Sequence, residues 1–203
     1  PKGHIAKLME EYSRLRELGV NTGCIGPCYF NTSNNTLELP RRKVLLSEKT
    51  LAVKSIITTS MLCRYKDLHS IGFWNEDVFL DMADWDLCWR FLKHGYQCCM
   101  TKASVIRHAV GTGEKRIVFF SMRVGRPVRE YYQLRDCRYL FWKHYVPAWF
   151  KVRFVMMLTV RSAAHILFLD ERKQRIFYMK KARRDYMKGV KGAAGNRPAL
   201  VNR

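Results

Sequence analysis

The sequence predicts an α/β domain followed by a basic helical region, and three observations carry that prediction. Up to residue 114, segments with helical spacing alternate with runs rich in β-branched residues. From about Val128 the pattern is helical throughout. The formal charge of +20 divides at the same place: residues 1–114 hold 15 Lys+Arg against 12 Asp+Glu, and residues 115–203 hold 22 against 5. A chain of 203 residues buries roughly 70% of its unfolded surface, enough for a substantial core without metals or disulfides.

Each element follows from its residues. Apolar positions 5, 8, 9, 12 and 15 share one helix face, and Gly19 ends that helix. Asn21 to Phe30 reads as a buried strand entering a polar loop at 31–36, and Leu51 to Leu62, β-branched at its centre, reads as a second strand. Lys66 to Leu68 gives one helical turn closed near Gly72. Asp84 to His94 is a helix stopped at Gly95, and Tyr96 to Ala109 is a strand that brings His108 to its carboxyl edge. There is no internal repeat.

The C-terminal region is aromatic-rich from Tyr139 to Leu169 and interrupted by Pro147. Its apolar stretch from Phe154 to Val160 is bracketed by Arg153 and Arg161. A bilayer span needs about 20 apolar residues, so this segment is expected to lie on a membrane rather than cross it. Basic charge on this scale marks an anionic partner, either a membrane surface or nucleic acid. Seven cysteines, odd in number and without a repeating ligand spacing, read as free thiols in a reducing cytosol. The chain begins at Pro1 without a signal peptide, and is expected to start inside a longer protein.

The chemistry concentrates between Phe79 and Arg90, where Asp81, Asp84 and Asp86 fall within six residues. Helical spacing puts 81 and 84 on one side and turns 86 about 200° from 84, toward Arg90. Two readings stand at this point. In one, Asp81 caps the helix, Asp84 favours its positive end and Asp86 forms an exposed pair with Arg90; in the other, the carboxylates form a site.

The run Gly72 to Arg90, then Gly95-Tyr96 and His108 with Gly111, resembles the carboxyl half of the catalytic domain of family 2 glycosyltransferases. Within that family the bacterial rhamnosyltransferase-like members are the nearer likeness. Ile25-Gly26-Pro27, Thr58-Thr59-Ser60, the segment Arg126 to Arg135 and the glycine-spaced basic end also have counterparts, so the likeness covers most of the chain.

The resemblance implies a GT-A fold, a Rossmann-like α/β sandwich, and displacement of a nucleotide from an activated sugar with inversion. It makes Asp84 the base that takes the acceptor proton. Asp81, Trp85 and Ser60 would support or contact the acceptor, Arg135 would meet the diphosphate, and His108 would help to hold Mg²⁺ or Mn²⁺. Residues 1–114 become the acceptor-side half of a GT-A domain, and 115–203 a basic helical membrane-associated region.

The implied partners are a nucleotide-sugar donor, a lipid-linked glycan acceptor, an anionic membrane surface at the cytoplasmic face, and a missing N-terminal half of the same domain, with no nucleic acid. The implied role is bacterial surface polysaccharide synthesis, with the 203-residue chain inactive alone. This chain departs from the pattern at Ala83, where Glu is usual, at Asp136, where Asn is usual, and at Ser60, where Gly is usual. No Asp-x-Asp metal motif precedes the first helix. The alternatives are a basic nucleic-acid-binding module and a non-catalytic fragment that binds a membrane or partner.

Overall fold

The computed structural model describes residues 3–32, 35–40, 43–108, 113–117 and 120–193. They form helix α1 (His4–Glu17), strands β1 (Thr22–Asn31), β2 (Thr36–Glu38), β3 (Lys43–Leu45), β4 (Thr50–Val53) and β5 (Leu62–Cys63), helices α2 (Tyr65–Ser70) and α3 (Asp81–Lys93), and strands β6 (Gln97–His108), β7 (Gly113–Ile117) and β8 (Phe120–Val124). Helices α4 (Pro127–Phe141), α5 (Ala148–Met156), α6 (Ser162–Phe168) and α7 (Arg172–Met187) follow, and a π-helical turn, Met157–Arg161, joins α5 to α6.

The chain divides into two compact units. The first comprises Pro1–Trp74 and Asp84–Gly125, the second Asn75–Ala83 and Arg126–Arg203. Sequence reading placed a single border at 114. The compact units meet along the chain at 125, and the nine residues Asn75–Ala83 group with the C-terminal helices.

In the first unit a mixed sheet runs β2-β1-β6-β4-β3, with β5 also paired to β1. β1 and β6 are parallel, and the other pairings in this sheet are antiparallel. Their register slips between Pro27 and Cys28, where the β6 partner jumps from Thr101 to Val105. Proline has no N–H for the ladder, so the irregularity falls where a hydrogen bond is missing anyway. Gly23 is required by close approach, since a Cβ there would meet Phe91 Cδ1 at 2.6 Å and Tyr96 Cβ at 2.7 Å. The sheet and α3 enclose a core that includes Cys24, Cys28, Leu51, Val53, Leu87, Phe91 and Met100.

Helix α1 covers Ile25 and Cys99 with Leu8, Tyr12 and Leu15. Ile5 and Met9, read from sequence as part of the same face, are exposed. Glu11 is buried instead, accepting a 2.7 Å bond from Thr50 Oγ1. The strand expected over 51–62 is also shorter, since β4 stops at Val53 and only Leu62–Cys63 pairs again. Between them Ile56 leaves the sheet to pack over Gly26, and a turn closes with Met61 N donating to Thr58 O at 3.1 Å.

The second unit is built on α4, whose Tyr131, Tyr132 and Leu134 pack with Ala182 of α7. Its interior is also strongly polar. Glu130, 4% exposed, faces Nδ1 of His165 at 2.7 Å and pairs with buried Arg175, while Asp185 pairs with Lys181 and accepts from Tyr131. Burial alone would raise the Glu130 carboxyl, but its bonds to His165 and Arg175 outweigh that and hold it below its ordinary value. Asp185 is lowered in the same way, against burial, by Lys181 and Tyr131.

A carboxyl lowered by folding contributes stability above its unfolded pKa, and that contribution is lost as pH falls through the folded value. The helical unit should therefore lose stability as the pH drops below about 4. Urea unfolding followed by helical circular dichroism should show this slope, and Glu130→Gln should flatten it.

Candidate active site

Helix α3 carries the three aspartates, and their surroundings separate them. Asp86 is 0% exposed and accepts from Arg90 Nε at 2.9 Å. Arg90 also donates through one terminal nitrogen to the carbonyls of Ile71, at 2.9 Å, and Phe73, at 2.5 Å. The sequence predicts an exposed pair here; the pair forms, but it is buried. The reason is that Arg90 satisfies the backbone where α2 ends, and Gly72 (φ 83°) and Phe73 (φ 57°) turn the chain, so the ion pair lies beneath the loop.

Asp84, on another side of the helix, is partly exposed. Its Oδ1 accepts the N–H of Thr58 at 3.3 Å. Ser60, two residues on, is exposed with φ 61°, the left-handed region that glycine occupies at no steric cost. Thr58, Ser60 and Asp84 therefore form one polar corner of the first unit. Trp85 is half-buried, its ring centroid 5.8 Å from that of Trp89 one turn on.

Asp81 begins α3 and groups with the second unit, where both its oxygens are bonded, one by Arg129 and one by Gln133. Gln133 in turn accepts from Arg161 at 2.7 Å, and Arg161 Nε reaches His165 Nε2 at 3.2 Å. The π-helical turn that ends at Arg161 supplies this link, and its sequence carries no signature that would have disclosed it. Burial lowers the Arg161 pKa.

The residue before Asp81, Leu80, has φ 51°, a conformation strained for a bulky side chain. Asp136 helps to hold it there by accepting the N–H of neighbouring Phe79 at 2.8 Å.

His108 ends β6, as the sequence predicts. Its ring packs edge-on to Tyr29 at 5.9 Å, and its carbonyl accepts from Thr32 N. Gly111, the last residue of the motif, lies outside the described residues.

Arg135 is placed differently from the diphosphate-binding role. It is 0% exposed, with Nε on Asp136 at 2.7 Å and its two terminal nitrogens on Tyr131 Oη at 3.2 Å and Gly192 O at 2.6 Å. The guanidinium is bonded within its own unit at all three nitrogens and is fully buried, so it is not presented to a ligand in this conformation. Asp136 is its buried counter-ion, and the diphosphate role stays an expectation from the resemblance. Burial pushes the Asp136 carboxyl up to about 6, against the pull of Arg135.

For a hard divalent cation, which takes several oxygen ligands, the fit is poor. Among the described residues no group of three or more ligating side chains includes His108. The group that does form is Cys24, Cys88 and Cys98, all buried, with sulfurs within 4.8 Å of one another. They come from β1, α3 and β6, so linear spacing gave no sign of them. All seven cysteines are free thiols, and burial pushes Cys99 and Cys137 up to about 12.

The chain is 27% identical over 157 residues to the dTDP-rhamnosyl transferase RfbF of Shigella flexneri. The match covers 76% of this chain and 52% of that protein, so the chain spans about half the length of the curated relative it matches. No family model matches, and no solved structure matches. The similarity supports a glycosyltransferase relationship. The mixed sheet with its flanking helices is compatible with a Rossmann-like glycosyltransferase domain.

The left-handed turn beside Asp84 is directly testable. Ser60→Val should cost about 1–3 kcal/mol, because a β-branched residue resists positive φ, whereas Ser60→Gly should cost nothing measurable. Chemical denaturation of the two variants checks this.

Proposed function

We propose that this chain is the acceptor-side part of an inverting glycosyltransferase of the family 2 type, rhamnosyltransferase-like, acting from a nucleotide-sugar onto a lipid-linked glycan in bacterial surface polysaccharide synthesis. One observation carries the proposal: Asp84, in the motif position of the base, is a partly exposed carboxylate of α3 that accepts the N–H of Thr58. Its neighbour Asp86 is buried against Arg90, and Asp81 is bonded by Arg129 and Gln133.

In the proposed reaction the acceptor hydroxyl oxygen attacks the anomeric carbon as Asp84 takes its proton. The bond from that carbon to the nucleoside diphosphate breaks, and its electron pair leaves on a phosphate oxygen. A carboxylate within hydrogen-bond reach of the acceptor is what such a step requires. The Thr58 N–H orients Asp84, and Trp85, half-buried beside Trp89, offers a ring for stacking on the acceptor sugar. Ser60, exposed at the turn, would contact the acceptor.

The Mg²⁺ or Mn²⁺ that the resemblance implies stays an expectation. His108 is its candidate ligand among the described residues. Residence at the cytoplasmic face of a membrane, on an anionic surface, is proposed from residues 115–203 and their 22 Lys+Arg. Each basic residue near such a surface contributes about 1 kcal/mol.

In the full-length protein, Asp84→Asn should reduce sugar transfer by at least about a hundredfold, the lower end for a general base, while binding of the nucleotide-sugar stays nearly intact. Labelled-sugar transfer and calorimetric donor titration measure the two separately. Transfer at the wild-type rate in this variant would refute the assignment.

A further inference from the structure

The helical stretch from Ala148 to Phe168 runs through α5, the π turn and α6 without leaving helical backbone. Its 21 residues correspond to about 31 Å. One face is spent on the interior of the second unit, since Phe150, Phe154, Met157 and His165 are all buried. The opposite face ought to be polar for a helix at a protein surface, and it is not. Trp149, Val152, Met156, Val160, Leu167 and Phe168 repeat at helical spacing and are between 44% and 67% exposed. Isolated exposed apolar residues are ordinary, but a continuous stripe of this length marks an interaction surface.

The charges around the stripe indicate what it meets. Residues 148–168 contain Lys151, Arg153 and Arg161 and no acidic residue. Exposed Lys143 precedes them, and exposed Arg172 and Lys173 follow the acids Asp170 and Glu171 just past the end. Residues 126–203 as a whole hold 19 Lys+Arg against 5 Asp+Glu. Two tryptophans, Trp142 at 76% exposure and Trp149, lie at the entry to the helix, and indole favours the boundary between headgroups and acyl chains. An apolar stripe bordered by cations suits an anionic bilayer surface, which takes apolar side chains between its headgroups and cations against its phosphates. Among the described residues no helix is long and apolar enough to cross a membrane, and a helix with one apolar face bordered by cations lies in the membrane plane.

We propose that the Trp149–Phe168 stripe is the face by which this protein lies on an anionic bilayer. The proposal rests on the lipid-linked acceptor reading and deepens it, because it names the surface that brings the acceptor's membrane to the enzyme.

The test is sedimentation of the 203-residue chain with vesicles of phosphatidylcholine, with and without phosphatidylglycerol. Wild type should bind the anionic vesicles and release partly in salt. The double variant Val152→Glu with Val160→Glu should lower the partition coefficient at least about tenfold. Val44→Glu, on exposed β3, should not. Both helix positions face solvent, so the melting temperature should not move.

Equal binding by the double variant and wild type would overturn the proposal, leaving charge alone as the cause. So would absence of vesicle binding by wild type, or a wild-type dimer that the double variant dissolves without any binding to lipid. Sugar transfer by the full-length protein to a water-soluble acceptor analogue reports separately on the transferase reading. It survives if only the membrane face is wrong.

Discussion

The rotation of α3 about its own axis is the constraint on which the site depends, and the buried pair Asp86–Arg90 fixes it. Arg90 ties one turn of the helix to the carbonyls of Ile71 and Phe73, and Asp86 lies at 0% exposure beside it. With that side held inward, helical geometry places Asp84 elsewhere on the surface, against the N–H of Thr58. A pair this well buried makes a specific contribution. Removing one partner strands a charge away from water, a cost of about 3–5 kcal/mol, whereas an exposed pair is worth at most about 1.

The second unit applies the same logic through α4. Arg135 and Asp136 are buried side by side, and Asp136 fastens Phe79 next to the left-handed Leu80. Lys191 and the N–H of Gly192 return to Asp77. Gly192 is needed there, with φ 64° and Glu76 O 3.0 Å from where a Cβ would stand. Residues 75–83 are thus held from both α4 and the chain beyond α7, which explains why they group with a part of the sequence that begins only at Arg126. Asp81 inherits its partners, Arg129 and Gln133, from this arrangement.

What could be read in the sequence was what depends on local spacing. The helix over Ile5–Leu15, the helix stopped at Gly95 and the strand ending at His108 follow from periodicity and glycine, and each stands within a few residues of its expected place. The distinction among three aspartates was partly legible, since a 3.6-residue period already turns Asp86 away from Asp84. What escaped depends on long-range packing. Asp86 is buried because carbonyls 13 and 15 residues earlier fold over Arg90. Ile56 to Ser60, β-branched like a strand, is drawn out of the sheet by Gly26 and Asp84. The enclosure of Arg135 by the rings of Tyr131 and Tyr132 and the Gly192 carbonyl likewise depends on the chain beyond α7.

The central claim is that three aspartates on one helix have three different jobs. Asp81→Asn, Asp84→Asn and Asp86→Asn, made singly in the full-length protein and compared for turnover and melting temperature, test it most directly. Asp84→Asn should lose turnover at an unchanged melting temperature. Asp86→Asn should melt several degrees lower, and Asp81→Asn should lose part of both. A melting temperature lowered as much by Asp84→Asn as by Asp86→Asn, with turnover falling in the same proportion, would contradict the account.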